Sequence, residues 1–470
     1  MFTTKNSLSI TRSLALTVVL ASLAGCPARE LSKVDPQPIE EFYKRIPVQI
    51  NRDLDILFVV DNSGSMREEQ ESLAANFPEF IKVLQTIEGG LPNVHIGVIS
   101  TDVGAGRFSI GTCERNGDNG ELQADPRVSG CTPPSEPFLV DVADTDGSRI
   151  TNYEGDLSES FSCIAQLGKE GCGFEQPLEA VRRALENNPA NAGFIRPNAF
   201  LAIIFITDED DCSAVGDAIF DTSPTAVATL GPPKSYRCFQ EGVICDPDVP
   251  GQPGVKSNCR PRDDSKLLHN IQTEYVDFLK QLKDDPGLIV TAAIMGATPS
   301  VVSVQAVPQI DGDDILELTP SCESAGFGKA APPIRLKWFL EQFAGQNTTT
   351  EICDGDLSPA LTQIAELLKD VVGNPCLAPN ATLSDKGLPV CTVKEVTNDR
   401  TEDRIAKVIP TCSSLANAAK EAPCWVVEKS NDCPTANGPG PSIVVERNGA
   451  TPPVNTFLEV RCETDQIAAP

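Results

Sequence analysis

Histidine is nearly missing from this sequence: only His95 and His269 occur in 470 residues. His95 falls inside an apolar strand pattern and His269 within a helical one, so no Ser-His or Cys-His nucleophile pair is legible. No C-x-x-C occurs either, which with so few histidines argues against the usual zinc sites. A glycine-rich phosphate loop is also lacking. Basic residues are scarce beside acidic ones, 38 Lys and Arg against 66 Asp and Glu, for a formal charge of −28. Such a chain repels nucleic acid, which is bound through cations that neutralise phosphates. It also repels anionic lipid head groups unless divalent cations bridge them. The plain meaning of the charge is solubility of an exported protein. After the first 25 residues, no stretch approaches the roughly 18 apolar residues of a membrane-spanning helix.

What is present begins with a leader. Lys5 and Arg12 precede "SLALTVVLASLA", an apolar core of signal-peptide length and too short to span a bilayer. It ends in "LAGC", residues 23–26, which resembles the bacterial lipoprotein box. The resemblance implies cleavage before Cys26, lipidation of that cysteine, and acyl chains as the membrane anchor. Pro27 stands where enteric lipoproteins carry an inner-membrane retention Asp, which by analogy favours the outer membrane. Cysteine arithmetic agrees. Of 17 cysteines, assigning Cys26 to lipid leaves 16, enough for eight disulfides in an oxidising compartment. Locality suggests Cys113 with Cys131, Cys163 with Cys172, Cys322 with Cys353 and Cys376 with Cys391. The cluster Cys212, Cys238, Cys245 and Cys259 allows three pairings.

Residues 26–52 mix charge and proline without sustained periodicity and read as a tether. From residue 53, buried-strand runs alternate with amphipathic helices. "LDILFVV", "VHIGVIS", "AFLAIIFIT" and "GLIVTAAIMG" are the strands. The helices are residues 67–87, in which Pro78 should cause a bend, "FEQPLEAVRRALE", "SKLLHNIQTEYVDFLKQL", "IRLKWFLEQFA" and "LSPALTQIAELLKDVV". Near-continuous apolar strands between such helices predict an α/β, doubly wound, mostly parallel sheet over 53–373. Residues 103–172 and 211–263, rich in Gly, Pro, Asp and Cys, read as disulfide-stapled insertions above the sheet. Residues 374–470 read as a small, Cys-rich, mostly β domain.

Three strands end in acidic or hydroxyl groups: "FVVDNSGS", "GVISTD" and "IIFITDEDD". Ligands in open α/β sheets bind beyond the carboxyl ends of the strands, and crowded oxygens suit a hard divalent cation. The first and third of these motifs resemble the von Willebrand factor type A (VWA) domain, related to integrin I domains. In that family, D-x-S-x-S after the first strand and a later Asp build a metal-ion-dependent adhesion site. The resemblance covers about two-thirds of the chain and implies Asp61, Ser63, Ser65 and Asp208 as metal residues. Its second loop departs from the family, with Glu175 standing where a Thr is usual. Glu175 is therefore either a carboxylate ligand or a charge interacting with a helix start. Asp102 is a candidate for support around the cation. Glu209, Asp210 and Asp211 offer either such support, a second cation, or only a solvated loop beside Cys212.

An oxygen-only site favours Mg²⁺, with Ca²⁺ or Mn²⁺ as alternatives. The expected function is a lipid-anchored envelope protein, not an enzyme, that binds a protein or acidic polysaccharide through the cation. The alternatives are a purely structural cation in an envelope protein, and a metal-dependent hydrolase.

Overall fold

The apolar run that begins at Leu54 forms strand β1, Asp53–Val60, buried along almost its whole length because helices cover both of its faces. The computed structural model describes residues 41–47, 52–87, 90–144, 146–283, 286–309, 314–325, 328–373, 377, 389–397, 405–435, 438–449 and 456–463. The other strands of the main sheet are β2 (Asn93–Ser100), β3 (Leu139–Ala143), β4 (Arg149–Thr151), β5 (Phe200–Ile206), β6 (Ile289–Met295) and β7 (Asn347–Glu351). They lie in the order β7-β6-β5-β1-β2-β3-β4. The first five in that row are mutually parallel, and β3 and β4 add an antiparallel edge. The expected doubly wound, mostly parallel sheet is present.

Side chains alternate along β1, so Ile56, Phe58 and Val60 face one helix layer while Leu57 and Val59 face the other. The first layer holds α1 (Arg67–Gln85), α2 (Leu157–Ala165) and α6 (Ser358–Gly373). The second holds α3 (Pro177–Leu185), α4 (Asp277–Leu282) and α5 (Ile334–Glu341). Phe58 anchors the first layer against Phe77, Phe80 and Phe161. Truncating such a side chain typically costs about 3–5 kcal/mol. Helix α1 runs through Pro78. A proline there offers no N–H to the carbonyl of Ala74. The Ser162 hydroxyl of α2 donates to that carbonyl instead, at 2.8 Å.

The structure revises several expectations. Residues 103–172 are not only a stapled loop, since they supply β3, β4 and α2 to the main fold. Leu122, in the same segment, is buried and packs with Phe194. The helix expected from Ser265 begins near Ile271, opening with a π turn at Gln272–Val276. Before it, the His269 N–H joins the Ser213 carbonyl, which holds that segment extended. Part of the expected tether, Glu41–Pro47, is an edge strand paired antiparallel with Thr456–Glu463. Locality also mispaired the first cysteines. The bonds are Cys113–Cys172 and Cys131–Cys163, and Cys391 joins Cys462. Cys322–Cys353 forms as expected, and the four-cysteine cluster resolves into Cys212–Cys238 and Cys245–Cys259.

Strands Val243–Asp246 and Gly254–Pro261 form a second, antiparallel sheet with Val301–Val307 and Ile315–Leu318. The C-terminal region is mostly β, with Cys391–Thr397 and Ile405–Ile409 completing the sheet of Glu41–Pro47. Beside it lies a hairpin of Cys424–Thr435 and Gly438–Glu446. Among the described residues, no helix is long and apolar enough to cross a membrane. Cys26 and Cys376 lie outside the described residues.

Candidate metal centre

The chain leaves β1 for β2 on one side and later returns with β5 on the other, which opens a crevice at the carboxyl ends of β1 and β5. Asp61 is fully buried there, and its N–H extends the ladder to the Ile206 carbonyl at 2.9 Å. Its Oδ1 accepts the Ser63 N–H and its Oδ2 accepts the Thr207 hydroxyl, each at 2.8 Å. The Ser63 and Ser65 hydroxyls lie 3.1 Å apart. Gln70 pins the loop from below, donating to the carbonyls of Asp61 and Gly168. From the side, the Gly171 N–H donates to the Asn62 carbonyl. A Cβ at Gly171 would lie 2.1 Å from Asn62 Oδ1, so only glycine allows this approach.

Glu175 is completely buried just ahead of α3. The Thr101 hydroxyl at the end of β2 donates to its Oε2, and its carboxyl also contacts that of Asp61. Its side chain therefore turns across the strand tips, not toward the N–H groups that open α3. Asp208 follows β5 by two residues, and its carbonyl accepts the Ala331 N–H at 2.7 Å. Its carboxyl contacts the Ser65 hydroxyl. Glu69, from the first turn of α1, is buried in the same electrostatic neighbourhood. Gly64 and Ser65 are exposed and form the open side of the cluster.

The electrostatics of this group are unfavourable as they stand. Burial, then the neighbouring Asp61 and Glu209 charges, holds the Glu175 carboxyl well above its ordinary range. Asp208 is raised well above its range for the same reasons. Burial also raises Asp61, although the Ser63 N–H and the Thr207 hydroxyl pull it down. Glu69 is pushed up to about 7, chiefly by burial. Glu209 reaches about 7 through burial and the Asp61 charge. Glu175 Oε1, Asp208 Oδ1 and Glu69 Oε2 are buried without any hydrogen-bond partner. Buried carboxylate oxygens left in that condition are costly, and a hard cation would satisfy them. Among the described residues, no group of three or more His, Cys, Asp or Glu side chains is placed to hold a metal ion. A cation here would draw on the serine hydroxyls as well.

Other acidic candidates have different work. Asp102 accepts the N–H groups of Gly104 and Cys172, tying the first insertion to the end of β2. Gly117, at φ +52°, packs so close that a Cβ would meet Asp102 Oδ1 at 2.2 Å. Asp210 caps α5, accepting the Arg335 and Leu336 N–H groups at 3.0 Å. Burial raises it to about 6 despite those donors. Asp211 is no solvated residue, for it is fully buried and ion-paired with Arg335 at 3.0 Å. Glu209 is half-buried and accepts the Ser235 hydroxyl at 3.2 Å. Sequence reasoning missed Glu69, Gln70, Thr101 and Thr207. Thr101 and Thr207 directly follow apolar strands and could have been found by their position. Glu69 and Gln70 carry no such signal, since polar residues are ordinary in the first turn of a helix.

No protein-family model matches the chain, and no curated protein matches it. Among solved structures, the chain is similar to proximal thread matrix protein 1 from the mussel byssus, at 11% identity and a TM-score of 0.28. That match covers 70% of this chain and 50% of the mussel protein. It is also similar to the pilus adhesin SpaC from Lactobacillus rhamnosus GG, at 11% identity and a TM-score of 0.31, covering 90% of this chain and 40% of the adhesin. A third is the pilus adhesin RrgA from Streptococcus pneumoniae, at 13% identity and a TM-score of 0.26, covering 91% of this chain and 58% of that one. The chain thus spans between 40% and 58% of these proteins' lengths. Likenesses of this degree say nothing of function.

Proposed function

We propose that this chain is a lipid-anchored protein of the bacterial cell envelope that binds a partner through a divalent cation. Asp61, Ser63, Ser65, Glu175 and Asp208 would hold the ion, which is Mg²⁺, Ca²⁺ or Mn²⁺. The observation that carries this reading is the set of buried carboxylate oxygens on Glu69, Glu175 and Asp208 that have no partner beside Asp61. Its support from the fold is the position of Asp61 and Asp208 after adjacent parallel strands, as the VWA resemblance requires. The partner, a protein or a polysaccharide, would supply an oxygen through the opening at Gly64 and Ser65. A binding role suits the site better than catalysis. Asp61 already accepts a hydrogen bond at each oxygen and is a poor candidate for a general base.

Glu175 favours a second reading, in which the cation only ties three loops together, because an additional carboxylate makes the ion less demanding of an outside ligand. Paramagnetic resonance of Mn²⁺ tests whether a cation binds at all. Titrating metal-stripped protein should abolish the free-ion signal up to one equivalent, and Mg²⁺ or Ca²⁺ should restore it. A signal that stays at free-ion intensity, or that is lost equally in Asp208→Asn, refutes the site.

A further inference from the structure

We infer that a second site, separate from the cation crevice, binds a small organic monocarboxylate. The first insertion, the start of α3 and the second insertion meet around a cavity of about 160 Å³. Gln176 joins the three, since its side chain donates to the Gly104 carbonyl at 3.0 Å and accepts the Ala214 N–H at 3.1 Å. Covalent bonds hold the walls. Cys113–Cys172 fixes a turn of the first insertion in which the Ala105 and Gly106 N–H groups donate to the Glu114 and Arg115 carbonyls at 3.0 Å. Cys212–Cys238 fixes the second insertion, where Phe220 packs edge-on against Phe174 at 5.1 Å. A cavity built this way is formed before any ligand arrives, which lowers the ordering cost of binding.

The lining sets the ligand's chemistry. Val103, Ala214 and Phe220 are buried and make an apolar floor. Arg115, Asn116 and Arg183 stand at the mouth. Among the described residues, the Arg115 and Asn116 side chains have no hydrogen-bond or ion-pair partner. Arg183 gives Nε to Glu179 and Nη1 to Asn119, which leaves Nη2 over. Guanidinium donors match the two oxygens of a carboxylate, and the amide can add a further donor. In a chain of formal charge −28, two arginines around one cavity run against the prevailing sign. Asp217 also lines the cavity and limits the charge a ligand can carry. Its Oδ2 lies 3.4 Å from Arg107, and a dianion such as phosphate would be repelled by it. A single carboxylate is therefore favoured. Engineered cavities of about 150 Å³ take up benzene, so an apolar body of that size fits on the floor.

Ligand-observed NMR titration of the metal-stripped chain tests this, with butyrate and benzoate as probes and butylamine and inorganic phosphate as controls. Removing metal excludes capture of the carboxylate by a cation in the crevice. Butyrate, benzoate or both should bind, more tightly than phosphate, and butylamine should not bind. Arg115→Gln, at an exposed residue, should weaken carboxylate binding about tenfold, as loss of one charge-assisted hydrogen bond requires. Asp217→Asn should tighten it, a response of opposite sign that mere disturbance of the loop would not give. Failure of both carboxylates to bind overturns the inference. So does butylamine or phosphate binding as tightly as the carboxylates, an Arg115→Gln chain with wild-type affinity, or weaker binding in Asp217→Asn.

Discussion

Glu175→Gln separates a cation ligand from a merely buried acid. In the absence of cation, the wild type holds this carboxyl at 0% exposure among Asp61, Asp208 and Glu209. A neutral amide of the same shape keeps the Thr101 hydrogen bond and removes the repulsion, so the metal-free variant should melt at or above the wild type. With cation present the order reverses. At a free concentration 100 times Kd, a bound ion stabilises the native state by about 2.7 kcal/mol. For a domain of about 320 residues that is roughly 4 °C in Tm. Losing one charged ligand, taken as about 1.5–3 kcal/mol, weakens the ion tenfold to a hundredfold. At the larger loss, the same concentration sits near Kd and stabilises by only about 0.4 kcal/mol, a shift of about 1 °C. Scanning fluorimetry with chelator, then with cation, reads both arms. A variant that keeps the full cation-induced shift removes Glu175 from the site.

Other outcomes follow from the same geometry. Folded-state values of about 7 for Glu69 and Glu209 and about 6 for Asp210 exceed their unfolded values, so the native chain binds more protons across that window. In chelator, the urea midpoint should therefore rise as pH falls from about 7.5 to 5.5, and saturating cation should remove the part that Glu69 and Glu209 supply while leaving that of Asp210. Arg335→Ala leaves Asp211 charged and buried without its partner, at a cost of about 3–5 kcal/mol in urea unfolding. Ser162→Ala should cost about 1 kcal/mol by freeing the Ala74 carbonyl. In a Pro78→Ala background, which restores an N–H to that carbonyl, the same change should cost less, as a double-mutant cycle would show. Cys26→Ala should prevent lipidation, and a processed, detergent-partitioning variant would contradict the anchor.

The four central strands were legible because burial on both faces leaves long runs of Val, Ile, Leu and Phe. Asn347–Glu351 was not, since "NTTTE" is a polar edge strand held by one neighbour. Glu41–Pro47 was hidden for a related reason, as its pairing partner lies more than 400 residues away in the chain. The disulfides failed where proximity in sequence competed with proximity in the fold. Cys113 meets Cys172 across 59 residues because α2, β3 and β4 fold between them. At the site, the motif carried Asp61 and Asp208, and the sheet order brings both to one crevice. Asp102 and Asp210 looked like part of the same acidic group, but their carboxylates are taken up by backbone N–H groups. Only packing reveals that distinction. Glu69 was the reverse case, a helix-start acid that the first turn of α1 buries.

Calorimetric titration of Ca²⁺ into the metal-stripped chain, in two buffers of different ionisation enthalpy, tests the central claim most directly. The account predicts one site per chain, heat that differs between buffers because the raised carboxyls release protons as the ion enters, and loss of the transition in Asp61→Asn and Asp208→Asn. A flat titration of the wild type, or variants that bind as tightly as it does, would contradict a cation at the tips of β1 and β5.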